Sequence, residues 1–547
     1  MASLIEFRAD SLSDGTRPGS GAAVSVRALS SIIPLPHSLR GQTGLSIRYL
    51  RRKPGRGLVI VYAARALTAG SAPHGRDPHR WLTVVVDEAA LVGTRLRFST
   101  EQLQQARVET RAPGILTIPT LALVVQVFPA DNALPTLATS LRTAHEEPLF
   151  AELEAAARTQ LGDPDWHICG ARADPVRYKP GSRCLIRYTL KLEKVSGERV
   201  ARQELSIFGK VYGDPEKLRA IQAAAQQLYA QQMQEGSQPI IPRPLRTVET
   251  LGLTLNQAVE ANEGANSKAA RPGLQVLRPH FTGAVDGETL DVDIPGKELR
   301  ATAIALARLH TSAVRLEGPL RTGAKAAKRA RERAALIATY CPVLADRAQR
   351  LAQQLTKSLA PLQPDTYRPA HGGFKPSQLL FCGERVFVVD LDGPCLADPA
   401  LDVGYLLAYL RPNGLWYGRA GMRRWFVSAA AKFVSAYRLA MCERGIDETT
   451  IGGILERARL YGAATLFKIA ARRIHRLNGP RPAELAAMLT EIEACMSSSD
   501  AMVPTGKHNR RGIALQLCPD AGIEAATFEG SRHVRDGIVA RPRSRSN

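Results

Sequence analysis

Close cysteine pairs are missing from this chain, and their absence removes whole classes of function. The eight cysteines, at 169, 184, 341, 382, 395, 442, 495 and 518, form no C-x-x-C and have no neighbouring histidine at metal-ligand spacing. They read as free thiols, mostly small buried apolar residues, in a reducing compartment. No apolar run approaches the ~18 to 20 uninterrupted residues of a membrane helix. The opening Met1-Ala-Ser-Leu-Ile-Glu-Phe-Arg-Ala-Asp10 lacks the basic-then-apolar order of a secretory signal. The expectation is a cytoplasmic protein with no membrane partner. Only 5% of residues are aromatic, without the aromatic and basic alternation of a base-stacking platform, which disfavours nucleic acid as a partner. Lys plus Arg nevertheless outnumber Asp plus Glu by 73 to 51, and a net charge of +22 attracts something anionic, such as nucleotide phosphates or acidic substrates.

What is present is ample material for burial. A chain of 547 residues, 45% of them hydrophobic, is expected to fold as two or three packed units. Laid against itself, it shows a partial repeat: Lys53-Pro-Gly-Arg-Gly-Leu-Val-Ile-Val-Tyr62 and Lys179-Pro-Gly-Ser-Arg-Cys-Leu-Ile-Arg-Tyr188 share Lys, Pro, Gly, Ile and Tyr in register. Pro-Gly is turn chemistry and the flanks are β-branched and aromatic, so each copy predicts strand, tight turn, strand. Two unrelated hairpins with a common turn dipeptide, or a duplicated unit, both account for it. The strand after the first copy, Trp81 to Asp87, carries no lysine near its end; the strand after the second, Leu205 to Tyr212, carries Lys210.

Helical periodicity covers Thr143 to Leu161, a segment from Asp214-Pro-Glu216 through Tyr229, Glu298 to Leu316, and four stretches beyond residue 400: Asp402 to Leu410, Arg423 to Arg444, Thr449 to Arg476 and Pro482 to Met496. Val276 to Phe281 reads as a short strand. Arg321 to Arg333 predicts a basic, alanine-rich helix, either a solvated face or an anion-binding or docking surface.

The chemistry concentrates at His371-Gly-Gly-Phe-Lys-Pro-Ser-Gln378, followed by the apolar run Val386 to Val389 and then Asp390-Leu-Asp392. A phosphoryl-transfer loop carries His, an acid two residues on and an amide five residues later, with a metal-binding acid at the end of the next strand. Here the amide position is Gln378, the strand-end acid is Asp390, and the proton-accepting acid is replaced by Gly373.

With the following Ala397-Asp398-Pro399 and Leu401-Asp402, this layout resembles the aminoglycoside phosphotransferase and choline kinase-like family. The resemblance covers about 165 to 410 directly. It implies an α+β, protein-kinase-like two-lobe fold, with an antiparallel-sheet small lobe and a mainly helical large lobe, to which the repeat adds an extra N-terminal β-rich small-lobe-like unit. The expected division is a flexible segment at 1–30, the extra unit at 31–142, the small lobe at 143–282, the large lobe at 283–496 and a disordered basic tail at 497–547.

It further implies ATP and Mg²⁺ as cofactors, with nucleotide and a small polar metabolite as partners. Asp390 and Gln378 would ligate metal, and Asp392 would hold a second metal or stand in as base. His371 would brace the loop or move a proton. Lys210 would pair with phosphates, with Glu216 as its partner, and the Lys179-Pro-Gly181-Ser-Arg183 turn would lie over the phosphates. The expected function is phosphate transfer to a hydroxyl. The alternative, which Gly373 favours, is a catalytically impaired pseudokinase-type nucleotide-binding or scaffold module.

Overall fold

The computed structural model describes residues 5–8, 45–53, 57–64, 81–87, 91–92, 95–98, 105–261, 268–282, 291–316, 320–364, 366–474 and 479–497. Contacts divide the chain into units 1–504 and 505–547, and every described residue belongs to the first. The expected flexible start and basic tail therefore fall almost wholly outside the described residues.

Two antiparallel sheets follow one another along the chain. The first comprises β1 (Leu45–Lys53), β2 (Gly57–Ala64), β3 (Trp81–Val86), β4 (Glu109–Ala112), β5 (Ile115–Ile118) and β6 (Leu123–Val127), in the order β1-β2-β3-β6-β5-β4. After helix α1 (Pro148–Leu161), the second comprises β7 (His167–Lys179), β8 (Arg183–Ser196), β9 (Arg199–Tyr212), β10 (Pro244–Val248) and β11 (Leu253–Gln257), in the order β7-β8-β9-β11-β10.

The correspondence between the sheets runs well past the hairpins that share sequence. Val86 pairs with Leu58 on one side and Leu123 on the other; Val211 pairs with Cys184 and Leu253. Leu58 and Cys184 are the residues that the sequence repeat places in register. Each return hairpin contains a short 3-10 turn closed by a left-handed residue, Ala122 in one and Gly252 in the other. The Asp87 N–H donates to the Ala122 carbonyl at 3.0 Å, and the Tyr212 N–H donates to the Gly252 carbonyl at 2.8 Å. Strand order and register thus repeat over five strands. Val85, one residue before Val86, stands where the second sheet has Lys210. Valine offers no charge to a phosphate, so the first sheet lacks the group that equips the second.

Asp131, 3% exposed, joins the end of the first sheet to the β7–β8 turn. Its Oδ2 accepts from the Tyr178 hydroxyl and from the Gly181 N–H, both at 2.7 Å. Trp81 and Phe128 from the first sheet lie against the Tyr178 ring, at centroid distances of 6.1 and 4.9 Å.

Helix α2 (Pro215–Gln234) starts where the sequence predicts, because Asp214 accepts from the Lys217 N–H at 3.1 Å and Pro215 occupies the first turn. The large lobe contains α3 (Gly296–His310), α4 (Gly323–Tyr340), α5 (Ala345–Leu359), α6 (Ala400–Leu410), α7 (Met422–Cys442), α8 (Glu448–Ile474) and α9 (Pro482–Ser497). Their apolar faces share one core that includes Trp425, Phe433, Tyr437 and Phe467, none more than 1% exposed. Among the described residues no helix is long and apolar enough to cross a membrane.

Three differences from the sequence reading stand out. Helix α5, whose buried face is Ala348, Leu351, Ala352, Leu355 and Leu359, escapes it altogether. The basic helix runs on to Tyr340, because Thr322 caps its start and Ala330, Ala334 and Ile337 bury its apolar face. The expected strand at Val276 is instead the end of a helical turn, Gly273–Val276, and a strand begins only at His280.

Candidate active site

The metal-type acid is delivered by a hairpin, β12 (Leu379–Cys382) and β13 (Arg385–Val388). Backbone bonds anchor its end: Val388 N–H donates to the Ile240 carbonyl at 2.7 Å, and Val389 N–H donates to the Gln378 carbonyl at 2.9 Å. The chain then turns through Asp390 at φ +67°, a left-handed conformation that costs a non-glycine residue energy and is held here by its contacts.

Those contacts bring the two lobes together. Lys210 on β9 donates to Asp390 Oδ1 at 2.5 Å and also bonds Asp392. Arg183, at the start of β8, reaches Asp390 Oδ2 at 3.1 Å and pairs with Asp392 as well. The Tyr212 hydroxyl donates to Asp392 Oδ1 at 2.8 Å. Two cations and two carboxylates form a neutral, half-buried quartet. Burial works to raise the Asp390 pKa, but Lys210 and Arg183 outweigh it and hold the carboxyl well below the usual carboxylate range. Burial draws Lys210 down to about 8 against the pull of Asp390. Both groups are ionised at neutral pH.

The loop from 371 is hung on one buried acid. Asp402, in the first turn of α6 and 0% exposed, accepts four backbone N–H groups. Its Oδ2 takes those of His371 at 2.6 Å and Gly372 at 3.3 Å; its Oδ1 takes those of Gly373 at 3.0 Å and Phe374 at 3.2 Å. His310 Nε2 lies 3.7 Å from the same carboxylate, and its Nδ1 meets the Tyr437 hydroxyl at 2.7 Å. Burial opposes ionisation of Asp402, but His310 and His371 beside it and the N–H bond from Phe374 lower its pKa. His371 is buried, and its Nε2–H donates to the Val389 carbonyl at 3.2 Å; burial pushes its pKa down, so the imidazole is neutral. Gly372 has φ +71°, and a Cβ there would lie 2.6 Å from the Gly393 carbonyl oxygen, so glycine is required.

Gly373 is different. A Cβ there meets nothing closer than 3.8 Å, and its nearest neighbours are all atoms of the Tyr405 ring and hydroxyl. Gln378 is 6% exposed; its amide nitrogen donates to the Gly373 carbonyl at 2.5 Å, and its oxygen accepts from Lys375 Nζ at 3.1 Å.

Of the sequence-predicted residues, Lys210, Arg183, Asp390 and Asp392 converge, and His371, Gly373 and Gln378 adjoin them through the loop. Glu216 does not: it is exposed in the first turn of α2, and the Lys210 ammonium is taken by Asp390 and Asp392 instead. Lys179 ends β7 and Gly181 forms the turn, but the Gly181 N–H expected to face phosphate is already bonded to Asp131. Missed from sequence were Tyr212, Arg321, Tyr405 and Lys468. Tyr405 and Lys468 sit 63 positions apart on α6 and α8, with no motif to link them. Arg321 did carry a signal, since it opens the basic run, and its Nη1 donates to the Gly372 carbonyl at 2.5 Å.

A metal would find hard oxygen donors in Asp390 and Asp392, which fits Mg²⁺ chemistry. The Gln378 oxygen faces an ammonium instead.

The model of the phosphotransferase enzyme family matches residues 210–438, beginning at Lys210 itself. No curated protein matches the sequence. Similar solved structures include a choline/ethanolamine kinase family protein from Mesorhizobium loti, 16% identical, covering 57% of this chain and 86% of that one at TM-score 0.35. Another is a putative aminoglycoside phosphotransferase from Ralstonia eutropha, 15% identical, covering 63% and 98% at TM-score 0.36. A glucosamine kinase is 17% identical and covers 89% and 99% at TM-score 0.37. The family model thus matches the stretch that runs from Lys210 through the loop with Gly373 to beyond the turn with Asp390 and Asp392.

Proposed function

We propose that the protein binds ATP with Mg²⁺ between β8, β9 and the Asp390 turn, and transfers phosphate to a hydroxyl of a small polar metabolite. The observation that carries this reading is the quartet of Lys210, Arg183, Asp390 and Asp392, which gathers phosphate-type cations and metal-type acids at one point. Asp390 and Asp392 would hold the metal, with Gln378 joining them once its oxygen leaves Lys375. Bound Mg²⁺ neutralises charge on the phosphates. Lys210 and Arg183 supply fixed positive charge, and Asp402 locks the loop so that its backbone keeps one geometry. A cytoplasmic setting, where thiols stay reduced, is part of the same proposal.

The test is a thermal shift with ADP or ATP, with and without Mg²⁺. At a ligand concentration 100 times Kd, binding adds about 2.7 kcal/mol, which for a lobe of this size is a rise of roughly 5 to 10 °C. Asp390→Ala removes the Mg²⁺-dependent part of that rise. A wild-type protein indifferent to both nucleotides, or an Asp390→Ala variant that responds as wild type does, overturns the reading.

Gly373 favours a second reading, a nucleotide-binding module without transfer, because losing a general base costs about 10²- to 10⁴-fold in rate. The two separate on whether ATP and a metabolite mixture yield a product heavier by one phosphoryl group.

A further inference from the structure

The space beside Gly373 is bordered by basic side chains that form no ion pair among the described residues. Lys468 on α8 bonds the Tyr405 hydroxyl, and its Nζ lies 4.6 Å from the Tyr405 ring centroid. Tyr405 stacks on Tyr409 with centroids 5.2 Å apart. Arg472, one turn beyond Lys468, donates to the Tyr409 hydroxyl at 3.0 Å, and Lys375 lies 5.8 Å over that ring. Arg333 of α4 donates to the Ala464 carbonyl at 3.2 Å. Among the described residues none of Lys375, Lys468, Arg333 and Arg472 has a carboxylate partner, whereas Lys210 and Arg183 a short distance along the loop have two.

Burial, and then like charges held close together, disfavour protonation. Burial and the neighbouring cations Arg472, Arg333, Lys375 and Arg321 pull Lys468 down to about 6; burial, partly offset by the tyrosines, draws Arg333 down to about 10. At neutral pH Lys468 is largely unprotonated and Arg333, Arg472 and Lys375 carry the charge; an anion set among them returns the proton to Lys468, so the arrangement favours an anion over a cation. It also lies where the family loop would carry an aspartate and this chain has Gly373.

We propose that the phosphate acceptor is an anionic hydroxyl compound, a polyol or sugar bearing a carboxylate or phosphate group, whose charge rests among Lys468, Arg333, Arg472 and Lys375. The inference rests on the phosphotransferase reading given above. In the transfer, the acceptor hydroxyl oxygen bonds to the γ-phosphorus as the bond to the ADP oxygen breaks. The hydroxyl proton passes to the acceptor's own anionic group, which takes the room a side chain at 373 would fill.

The experiment uses the full chain saturated with ADP and Mg²⁺ at constant ionic strength, titrated with sorbitol, glucosamine, gluconate and glucose 6-phosphate. Gluconate or glucose 6-phosphate is expected to bind, the two distinguishing carboxylate from phosphate, while sorbitol and glucosamine bind at least tenfold more weakly. Lys468→Met and Arg333→Met each weaken anion binding about tenfold, equivalent to about 1.4 kcal/mol. Arg472→Gln, at an exposed position that cannot upset the core, weakens it in the same direction. Glucosamine binding as tightly as either anion, neither anion binding, or anion affinity unchanged in all three variants overturns the proposal. If ADP fails to bind, the nucleotide reading falls, and the same panel on nucleotide-free protein still decides the charge preference.

Discussion

Asp402→Asn is the sharpest probe of how the loop is built. The substitution keeps the shape and leaves one oxygen, which continues to accept from the Gly373 and Phe374 N–H groups at 3.0 and 3.2 Å. The other oxygen becomes an NH₂ that faces two donors, the His371 N–H at 2.6 Å and the Gly372 N–H at 3.3 Å. Asp402 is 0% exposed, so no water replaces the lost acceptor. Two buried N–H groups without an acceptor cost about 1 to 3 kcal/mol each, or roughly 4 kcal/mol together. For a lobe of about 200 residues each kcal/mol shifts Tm by roughly 2 to 4 °C, so a fall of about 10 °C is expected. Trp416 and Trp425, both in the large-lobe core, give a fluorescence signal that follows this lobe. A multi-lobe chain need not unfold in one step, so the large-lobe transition is the one to follow. A fall of less than about 2 °C would refute the claim that this carboxylate suspends the loop.

Three further outcomes follow from the same geometry. Gly373→Asp has room for its Cβ, which meets nothing closer than 3.8 Å, and it raises ATP-dependent phosphate release to water by about 10²-fold or more while weakening the binding of an anionic acceptor; a destabilised or equally slow variant contradicts this. Lys468→Met raises Tm at pH 7 while it weakens anion binding. Tyr405, Arg333, Arg472, Lys375 and Arg321 face this lysine, and its folded pKa of about 6 lies below the unfolded ~10.4. The unfolded chain therefore holds a proton that the fold lacks between those values, so wild-type stability gains from Lys468 as pH rises from 6 to 10. That slope disappears in Lys468→Met, which parallel melts across pH will show or deny. Asp131→Asn turns a donor toward the Gly181 N–H, now held at 2.7 Å, and should speed amide exchange in the 179–183 turn by about tenfold or more, since the unpaired N–H costs about 1 to 3 kcal/mol; unchanged exchange would remove Asp131 as the tie between the sheets and this turn.

The sequence by itself determined the fold class and brought forward the acids at 390 and 392, because the residues behind each are written locally. Periodicity marks most of the helices, Asp214 with Pro215 marks a helix start, and an apolar strand ending in Asp390-Leu-Asp392 marks the metal-type turn. It showed one hairpin of the duplicated sheet through the Lys-Pro-Gly motif. The return hairpins share only scattered residues, and their equivalence lies in backbone register, which no residue type encodes. Helix α5 did carry a local signal, with Ala348, Leu351, Ala352, Leu355 and Leu359 at helical spacing, and the sequence reading passed over it.

Only the tertiary structure decided the charge pairing and the charge that stays unpaired. The family resemblance offered Glu216 as the partner of Lys210; the folded chain carries Asp390 and Asp392 to that ammonium from 180 and 182 residues away. Asp402 reads from sequence as a residue that caps its helix and tethers the loop; the folded chain shows the tether as four backbone N–H groups about thirty positions earlier. The cations around Tyr405 come from the loop, α4 and α8, and nothing in their local patterns brings them together. Backbone preferences and burial patterns act over a few residues, so a sequence reveals them. Which charges meet depends on how distant segments pack, and the packing alone sets Gly373 beside Tyr405 and the basic side chains that border it.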